Sequence, residues 1–334
     1  MGITWSILAL LAGFALIIKG GDWFVDASVW VARKTGIPEI IIGATIVSVG
    51  TTIPEISVSV ISVIKGLATP ELATSFNEIA INNSVGSMLC NTALILAIVM
   101  TISPPRSEGR SFTEKAVALI TIIIILIFFV MTGSIISLVE GIILLALFFA
   151  FMFMNFNDAK SHINDESNQE LILANKEEAD KSSTPKNIIM FILGAGAIGI
   201  GAWLLSTFGQ KLAQEMGVPA QIIGITVIAF GTSLPELVTS ITALKKGNRD
   251  MGIGNIIGAN VINATLLLGL ISVILGDGLP VDSITKNVSL WVLLAITLVL
   301  CIPAIFKDET KKWQGWTMLA IYFGFITYNF VIVL

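Results

Sequence analysis

A glutamate stands one residue after a proline inside a long apolar run, and the chain does this twice, as Gly50-Thr-Thr-Ile-Pro-Glu55 and as Gly231-Thr-Ser-Leu-Pro-Glu236. Few features restrict a fold as much. Proline cannot donate a backbone hydrogen bond and its ring clashes with the preceding turn. The residue before it is pushed away from helical geometry. Each run is therefore expected to break as a helix at its motif, freeing carbonyl oxygens beside hydroxyls and a carboxylate. In a bilayer such a break is tolerated only where protein buries it or it lines a wet cavity. Two breaks and two carboxylates predict a polar site for a cation at the centre of a membrane transporter.

The rest of the chain says that its solvent is lipid. Of 334 residues, 55% are hydrophobic and 13% charged, and the mean hydropathy is +0.90. That is far too apolar for a soluble domain of this length. With a net charge of -4 and no basic face, nucleic acid is excluded as a partner. Cys90 and Cys301 lie far apart in apolar segments and suggest neither a disulfide framework nor a thiolate metal site. His162, in a polar stretch, reads as solvated. The N-terminus has no positive n-region and no small-residue cleavage site, so it reads as a first span entering from outside.

At roughly twenty apolar residues per span, the sequence divides into ten: 3–31, 38–65, 72–101, 113–132, 134–155, 187–213, 220–246, 251–275, 285–305 and 314–333. The second, third, seventh and eighth carry Gly, Asn, Ser and Thr in their middles. The fourth and ninth are almost purely aliphatic and are expected to face lipid. With the N-terminus outside, the inner connections collect Arg33 and Lys34; Arg106, Arg110 and Lys115; Lys160, Lys176, Lys181 and Lys186; Lys245, Lys246 and Arg249; and Lys307, Lys311 and Lys312. The outer ones hold only Lys65, Lys211 and Lys286. This bias sets both termini outside. The one long polar segment, 156–186, is then cytoplasmic and reads as a solvated linker with room for one helical stretch. It separates a first five-helix unit, 1–155, from a second, 187–334.

The two units are repeats. Residues 37–66 match 218–247 at a constant offset of 181, with Pro38/Pro219, Gly43/Gly224, Thr45/Thr226, Gly50/Gly231, Thr51/Thr232, Pro54/Pro235, Glu55/Glu236, Ser59/Ser240 and Gly66/Gly247 identical. A second match pairs 83–91 with 255–263 at an offset of 172. The first unit thus holds nine extra residues between its motifs, around 67–78. Five spans per unit is odd, so the second unit is inserted upside down. Inverted repeats with broken helices meeting at the midplane are a recurring plan of secondary transporters.

An intramembrane carboxylate is expensive and by default marks an ion or proton path. A single one could be structural; Glu55 and Glu236 at equivalent places point to cargo. The second motif adds neutral oxygens. Ser87 and Asn91 are four residues apart and share a helix face, as do Ala259 and Asn263. Gly86 and Gly258 remove side chains where the broken helices must approach. Carboxylate, amide, hydroxyl and carbonyl oxygens are hard ligands. They suit Ca2+, Na+ or, with tighter geometry, Mg2+, and not zinc or copper.

The paired GTTIPE and GTSLPE motifs, each followed by Gly-(Ser/Ala)-x-x-x-Asn, closely resemble the α-repeats of the sodium/calcium exchanger family in the cation/calcium exchanger superfamily, and the ten-span layout resembles its prokaryotic members. The resemblance implies an all-α membrane protein of ten transmembrane helices in two inverted five-helix repeats. It implies a Na+/Ca2+ antiporter working by alternating access, with no enzymatic activity and no resident cofactor. Carried over by residue, the ion-binding acids fall on Glu55 and Glu236. The hydroxyl and carbonyl donors fall on Thr51, Thr52, Thr232, Ser233 and Ser87, and the amide position on Asn91. Two departures stand out. A position that is Asp in some prokaryotic exchangers and in the potassium-dependent branch is Asn263 here, and the partner serine is Ala259.

Loss of the Asp argues against K+ co-transport and leaves two formal charges at the site. These neutralise one Ca2+, whereas three Na+ leave an excess of +1, so exchange is expected to be electrogenic. Spans one and six slide against the other eight in the family picture, and Gly13, Gly20, Gly21, Gly194, Gly196, Gly199 and Gly201 permit close contact between them. Trp5, Trp23, Trp30, Trp203, Trp313 and Trp316 are expected near the headgroups. The chain is expected in the inner (cell) membrane, in contact with lipid and functional as a monomer. The alternatives of the same fold are H+/Ca2+ and Na+/Mg2+ exchange. From other classes, a passive channel would need an open pore, and an intramembrane hydrolase would need a nucleophile that the sequence does not supply.

Overall fold

The computed structural model describes residues 3–102, 110–215, 229–307 and 310–333. Within them the protein is helical apart from one two-residue strand pair. The helices are α1 (Ile3–Thr35), α2 (Glu39–Ala68), α3 (Pro70–Ile102), α4 (Arg110–Gly133), α5 (Leu138–Asn164), α6 (Gln169–Asp180), α7 (Thr184–Glu215), α8 (Ala229–Thr232), α9 (Leu234–Lys245), α10 (Arg249–Leu275), α11 (Leu290–Lys307, entered through a π-helical stretch Thr285–Ser289) and α12 (Lys312–Val333). Eight of the described helices are long and apolar enough to cross a bilayer: α1 to α5, α7, α10 and α11 with its π-helical entry. The seventh expected span is described only from residue 229, as α8 and α9. Val218, Pro219, Gly224 and Thr226 of the repeat match, and Arg106, lie outside the described residues.

Local chemistry sets several of the ends. Gly36 adopts φ +76 just past α1, where a side chain would be strained. Pro70 opens α3 at a first-turn position, where its missing N–H is no loss. A capping box starts α5: Ser137 Oγ accepts from Glu140 N, and Glu140 Oε2 accepts from Ser137 N at 2.7 Å. Ahead of that cap, β1 (Ile135–Ile136) pairs antiparallel with β2 (Leu279–Pro280), so the α4–α5 turn meets the segment after α10.

Burial overturns one expectation. The aliphatic fourth and ninth spans do not simply face lipid. On α4, Ala116, Leu119, Ile123 and Val130 are buried, and on α11 so are Leu290, Leu293, Ile296 and Leu300. The helices with the least buried apolar windows are α1 (28%), α5 (22%) and α7 (28%), against 72% for α3 and 83% for α10. The reason is physical: lipid tails are as apolar as leucine, so hydrophobicity alone does not distinguish a helix facing lipid from one facing protein. Polar middles do distinguish it, and α3 and α10, with their Asn, Ser and Gly, form the centre.

The 156–186 segment is not simply a solvated linker. α5 continues through it to Asn164, more than two turns past the expected end, and α6 docks on the end of α1. Ile172 is buried and lies against Gly36, Trp30 Nε1 donates to Ala179 O at 3.1 Å, Arg33 pairs with Glu178 at 3.0 Å, and Lys34 pairs with Asp180. Trp30 is thus taken up by α6 instead of by headgroups, while Trp5, Trp203, Trp313 and Trp316 are exposed. Lys115, fully buried on α4, pairs with Asp158 of the α5 extension at 3.1 Å.

α1 and α7 are 33 and 32 residues long, about 50 Å each, and they run along each other at backbone distance. A Cβ on Gly20 would come within 2.9 Å of Gly194 O, and one on Gly201 within 2.7 Å of Gly13 O. Gly21 instead faces Val238 on α9, and Gly196 and Gly199 face open space, so these three do not serve the α1–α7 contact. Just past α9, Lys246 reaches Asp26 of α1 at 2.8 Å and Asp22 at 3.6 Å.

Candidate cation site between the motif helices

The two motifs relax in different ways. α2 runs through Pro54 without the expected break. Proline there has no N–H to offer the Gly50 carbonyl, yet the helix absorbs it. Its widening comes upstream, as a π-helical stretch at Gly43–Val47. The second motif does break. Ser233, at φ -85 and ψ 1, separates α8 from α9, and Pro235 falls in the first turn of the new helix. The second pair of motifs relaxes alike in both halves: Asn91 lies in a π-helical stretch of α3, Cys90–Leu96, and Asn263 opens one in α10, Asn263–Leu267. Such wide turns often sit at functional positions.

Glycine brings the pieces together. A Cβ on Gly258 would stand 2.6 Å from Ala44 O, and one on Gly43 2.9 Å from Asn255 N. α10 therefore crosses the wide turn of α2 with backbone against backbone, as expected for Gly258. This crossing sets the first motif beside the helix that carries Asn255 and Asn263.

All nine expected residues, Thr51, Thr52, Glu55, Ser87, Asn91, Thr232, Ser233, Glu236 and Asn263, are buried. Seven of them form one constellation, and its contacts cross between the repeats. Ser233 Oγ donates to Glu55 Oε1 at 3.2 Å, and Thr52 Oγ1 lies 3.3 Å from Glu236 Oε1. Thr52 and Ser233 are equivalent residues, so each half's acid is met by the other half's hydroxyl. Thr52 is also 2.7 Å from Ser48 O, and its single proton serves one acceptor at a time. Thr51 faces Asn255 Oδ1 at 3.1 Å, and its equivalent Thr232 faces Asn83 Oδ1 at 3.2 Å. Ser87 stands 3.4 Å from Thr232.

Asn91 and Asn263 do not hydrogen-bond to a carboxylate. Their side-chain nitrogens and oxygens are buried without a hydrogen-bond partner, as are Glu55 Oε2 and Glu236 Oε2. The Asn263 backbone oxygen accepts from Ser84 at 3.0 Å. Buried polar groups are ordinarily paired, so a free oxygen on each of the two crossed carboxylates makes this a candidate ligand site. Among the described residues, neither glutamate has a basic partner, and no three His, Cys, Asp or Glu residues gather. The buried groups gathered here, two carboxylates with hydroxyl and amide oxygens, have the chemistry of a hard-cation site.

Asn83 and Asn255 were not among the expected site residues, although each begins a matched second motif. Their signal was that match: equivalent polar residues, buried in apolar spans. Asn260, which donates to Thr92 Oγ1 at 2.5 Å, adds a further tie between α10 and α3.

Comparison with known proteins gives the family. The family model for sodium/calcium exchanger proteins matches residues 5–157 and 186–331. The sodium/calcium exchanger MaX1 of Methanosarcina acetivorans is 29% identical over 99% of this chain and all of its own. An uncharacterized membrane protein of Methanocaldococcus jannaschii, MJ0091, is 29% identical over 93% of this chain and 94% of its own. Among solved structures, the sodium-calcium exchanger NCX_Mj soaked with Na+ and Sr2+ superposes with a TM-score of 0.80 at 27% identity, covering 98% of this chain and 99% of that one. With the family matched across both halves and the fold shared end to end, the chain belongs to the sodium/calcium exchanger protein family and is an integral, multi-pass membrane protein.

Proposed function

We propose that the protein is a secondary-active antiporter that exchanges Na+ for Ca2+ by alternating access, with Glu55 and Glu236 at one site that the two ions occupy in turn. The observation that carries this reading is the crossed pair of buried carboxylates, each with one oxygen lacking a protein partner. Buried charge is costly unless compensated, and among the described residues no basic side chain compensates it. Thr51, Thr52, Thr232, Ser233 and Ser87 supply hydroxyl oxygens, and Asn91 and Asn263 supply amides. The relatives' names point the same way, as do the Na+ and Sr2+ in the matching structure. Two glutamates balance one Ca2+, and three Na+ would exceed them by one charge, so the exchange is electrogenic. With Asn263 and Ala259 in place of a carboxylate and a hydroxyl, it is independent of K+.

The architecture that fits is ten transmembrane helices in two inverted five-helix repeats, 1–155 and 187–334, joined by a cytoplasmic segment 156–186, with both termini outside a cell membrane and the chain working as a monomer among lipids. Two contacts support the count. β1 meets β2, and α6 meets the end of α1; each pair is separated by four of the expected spans, an even number that returns the chain to the same side. The family match also falls in two blocks on either side of the segment.

The test is Ca2+ uptake into proteoliposomes loaded with Na+, compared with K+- or choline-loaded vesicles and with an imposed pH gradient. Uptake that needs internal Na+ is expected. Uptake driven by the pH gradient alone would replace Na+ with H+ as the coupling ion, and no Ca2+ uptake under any gradient would refute Ca2+ as the cargo.

A further inference from the structure

A hydroxyl that coordinates a cation must turn its proton elsewhere, because one proton and two lone pairs are all it has. At Thr51 and Thr232 the structure supplies an acceptor for that proton on an asparagine outside the proposed ligand set, at 3.1 and 3.2 Å. These are shorter than the 3.4 Å from Thr51 to Ser48 O and from Thr232 to Ser87 Oγ.

The amide orientations follow from their surroundings. Asn255 Nδ2 lies 3.0 Å from Thr239 Oγ1 and 3.4 Å from Ser240 Oγ. Thr239 donates to Pro235 O at 2.7 Å and Ser240 donates to Gly252 O at 3.2 Å. Carbonyls only accept, so both hydroxyls have spent their protons and present lone pairs; only the NH2 end of Asn255 can face them. Its Oδ1 is left toward Thr51, at 3.1 Å. Asn83 repeats the logic with different partners. Its Nδ2 faces the Glu55 backbone carbonyl at 3.1 Å and Ser59 Oγ at 3.0 Å, and Ser59 donates to Ala80 O at 3.2 Å. Asn83 Oδ1 is left toward Thr232, at 3.2 Å.

We propose that Asn83 and Asn255 are positioning residues that hold the protons of Thr232 and Thr51, so that these hydroxyls meet the transported cation with oxygen. The wiring crosses the repeats. Asn255, in the second half, sets a threonine of the first; Asn83, in the first, sets a threonine of the second. Asn83 also holds the backbone carbonyl of Glu55, and Asn255 holds the hydroxyl that caps the Pro235 carbonyl one residue before Glu236. Each asparagine therefore fixes an acid's helix in its own half and a hydroxyl in the other. Cation affinity then depends on both halves being seated together, a condition that alternating access needs if an unseated site is not to leak.

The inference rests on the proposed cargo reading, and a double-mutant cycle separates the two. Half-saturating Ca2+ and Na+ concentrations and maximal rates would be measured in proteoliposomes for Asn255→Ala, Thr51→Val and the double variant, and likewise for Asn83→Ala with Thr232→Val. Melting temperatures of each would be taken alongside. Positioning through threonine predicts that Asn255→Ala raises the half-saturating concentrations roughly tenfold, the size of one lost charge-assisted contact, but by less than about twofold once Thr51 is already Val. A structural role alone would lower the melting temperature and the maximal rate, leave the half-saturating concentrations unchanged, and add across the cycle; that result overturns the proposal. The two cycles are independent, so an unstable variant in one leaves the other to decide. A wild-type protein that neither carries Ca2+ nor is thermally stabilised by it would refute the proposed function itself.

Discussion

At the scale of the residue, the proposed site is an economy of oxygens. Two carboxylates, five hydroxyls and two amides are buried among apolar helices, and the acids have no basic neighbour among the described residues. At an effective dielectric near 20, a unit charge 4 Å from another contributes about 4 kcal/mol. Replacing one glutamate by its neutral isostere should therefore weaken Ca2+ binding by roughly a thousandfold or more. Glu55→Gln and Glu236→Gln are expected to abolish Ca2+ flux. Their effect on stability runs the other way. Removing a buried, uncompensated charge relieves a desolvation penalty, so both variants should melt no lower than the wild type without ions and should lose the stabilisation that Ca2+ confers. Thermal unfolding with and without Ca2+ checks both halves of this expectation. A variant that still carries Ca2+ at the wild-type rate would remove that glutamate from the site.

At the scale of the element, small residues decide which helices touch and which can move. α1 and α7 approach each other at Gly13, Gly20, Gly194 and Gly201, where the glycine of one helix lies against the backbone of the other and, at Gly13, Gly20 and Gly201, also against a side chain such as Leu205, Ala197 or Ile17. A close contact of this kind suits the proposal that the pair moves as a unit. Gly201→Leu would drive its side chain into Ile17 and the Gly13 carbonyl, where a Cβ alone would stand 2.6 and 2.7 Å away. Overpacking of this kind costs about 1–3 kcal/mol, enough for a roughly tenfold loss of rate or more if it falls on the moving state. The expected result is a slowed exchange rate with Ca2+ affinity unchanged, read by flux and by equilibrium binding on the same preparation. Reduced affinity at an unchanged rate would place the contact in the ion site instead. The motif helices show where local rules are silent. Pro54 and Pro235 occupy equivalent positions, yet one is absorbed in a continuous helix and the other begins a new one. The sequence around them is nearly the same, so tertiary packing decides whether a helix runs through its proline or breaks just ahead of it.

At the scale of the whole molecule, the parts legible in the sequence are those where polarity is costly. Carboxylates in apolar runs, repeated at a fixed offset, could be read directly, and so could the existence of most spans, because a lipid solvent demands about twenty apolar residues for each. The polar extension of α5 to Asn164 could not, since it lies beyond its apolar run. The packing of aliphatic helices could not, since α4 and α11 look the same to lipid and to protein. The docking of α6 rests on Ile172 and Ala179, two small apolar interruptions in a polar segment, which no periodic pattern announces. The crossed contacts were half visible: the match of Asn83 with Asn255 was plain, but their partners lie in the opposite repeat and appear only when the halves are folded together. That crossing is the central feature. One site, built from both repeats, is held to take either Ca2+ or Na+, never both in full. The measurement that tests this most directly is equilibrium binding of radiolabelled Ca2+ to the purified protein as Na+ is raised at constant ionic strength. The account predicts about one Ca2+ per chain, displaced by Na+ with a Hill coefficient above one and undetectable in Glu55→Gln and in Glu236→Gln alike. Ca2+ that stays bound at saturating Na+, or that binds normally when either glutamate is neutral, would contradict it.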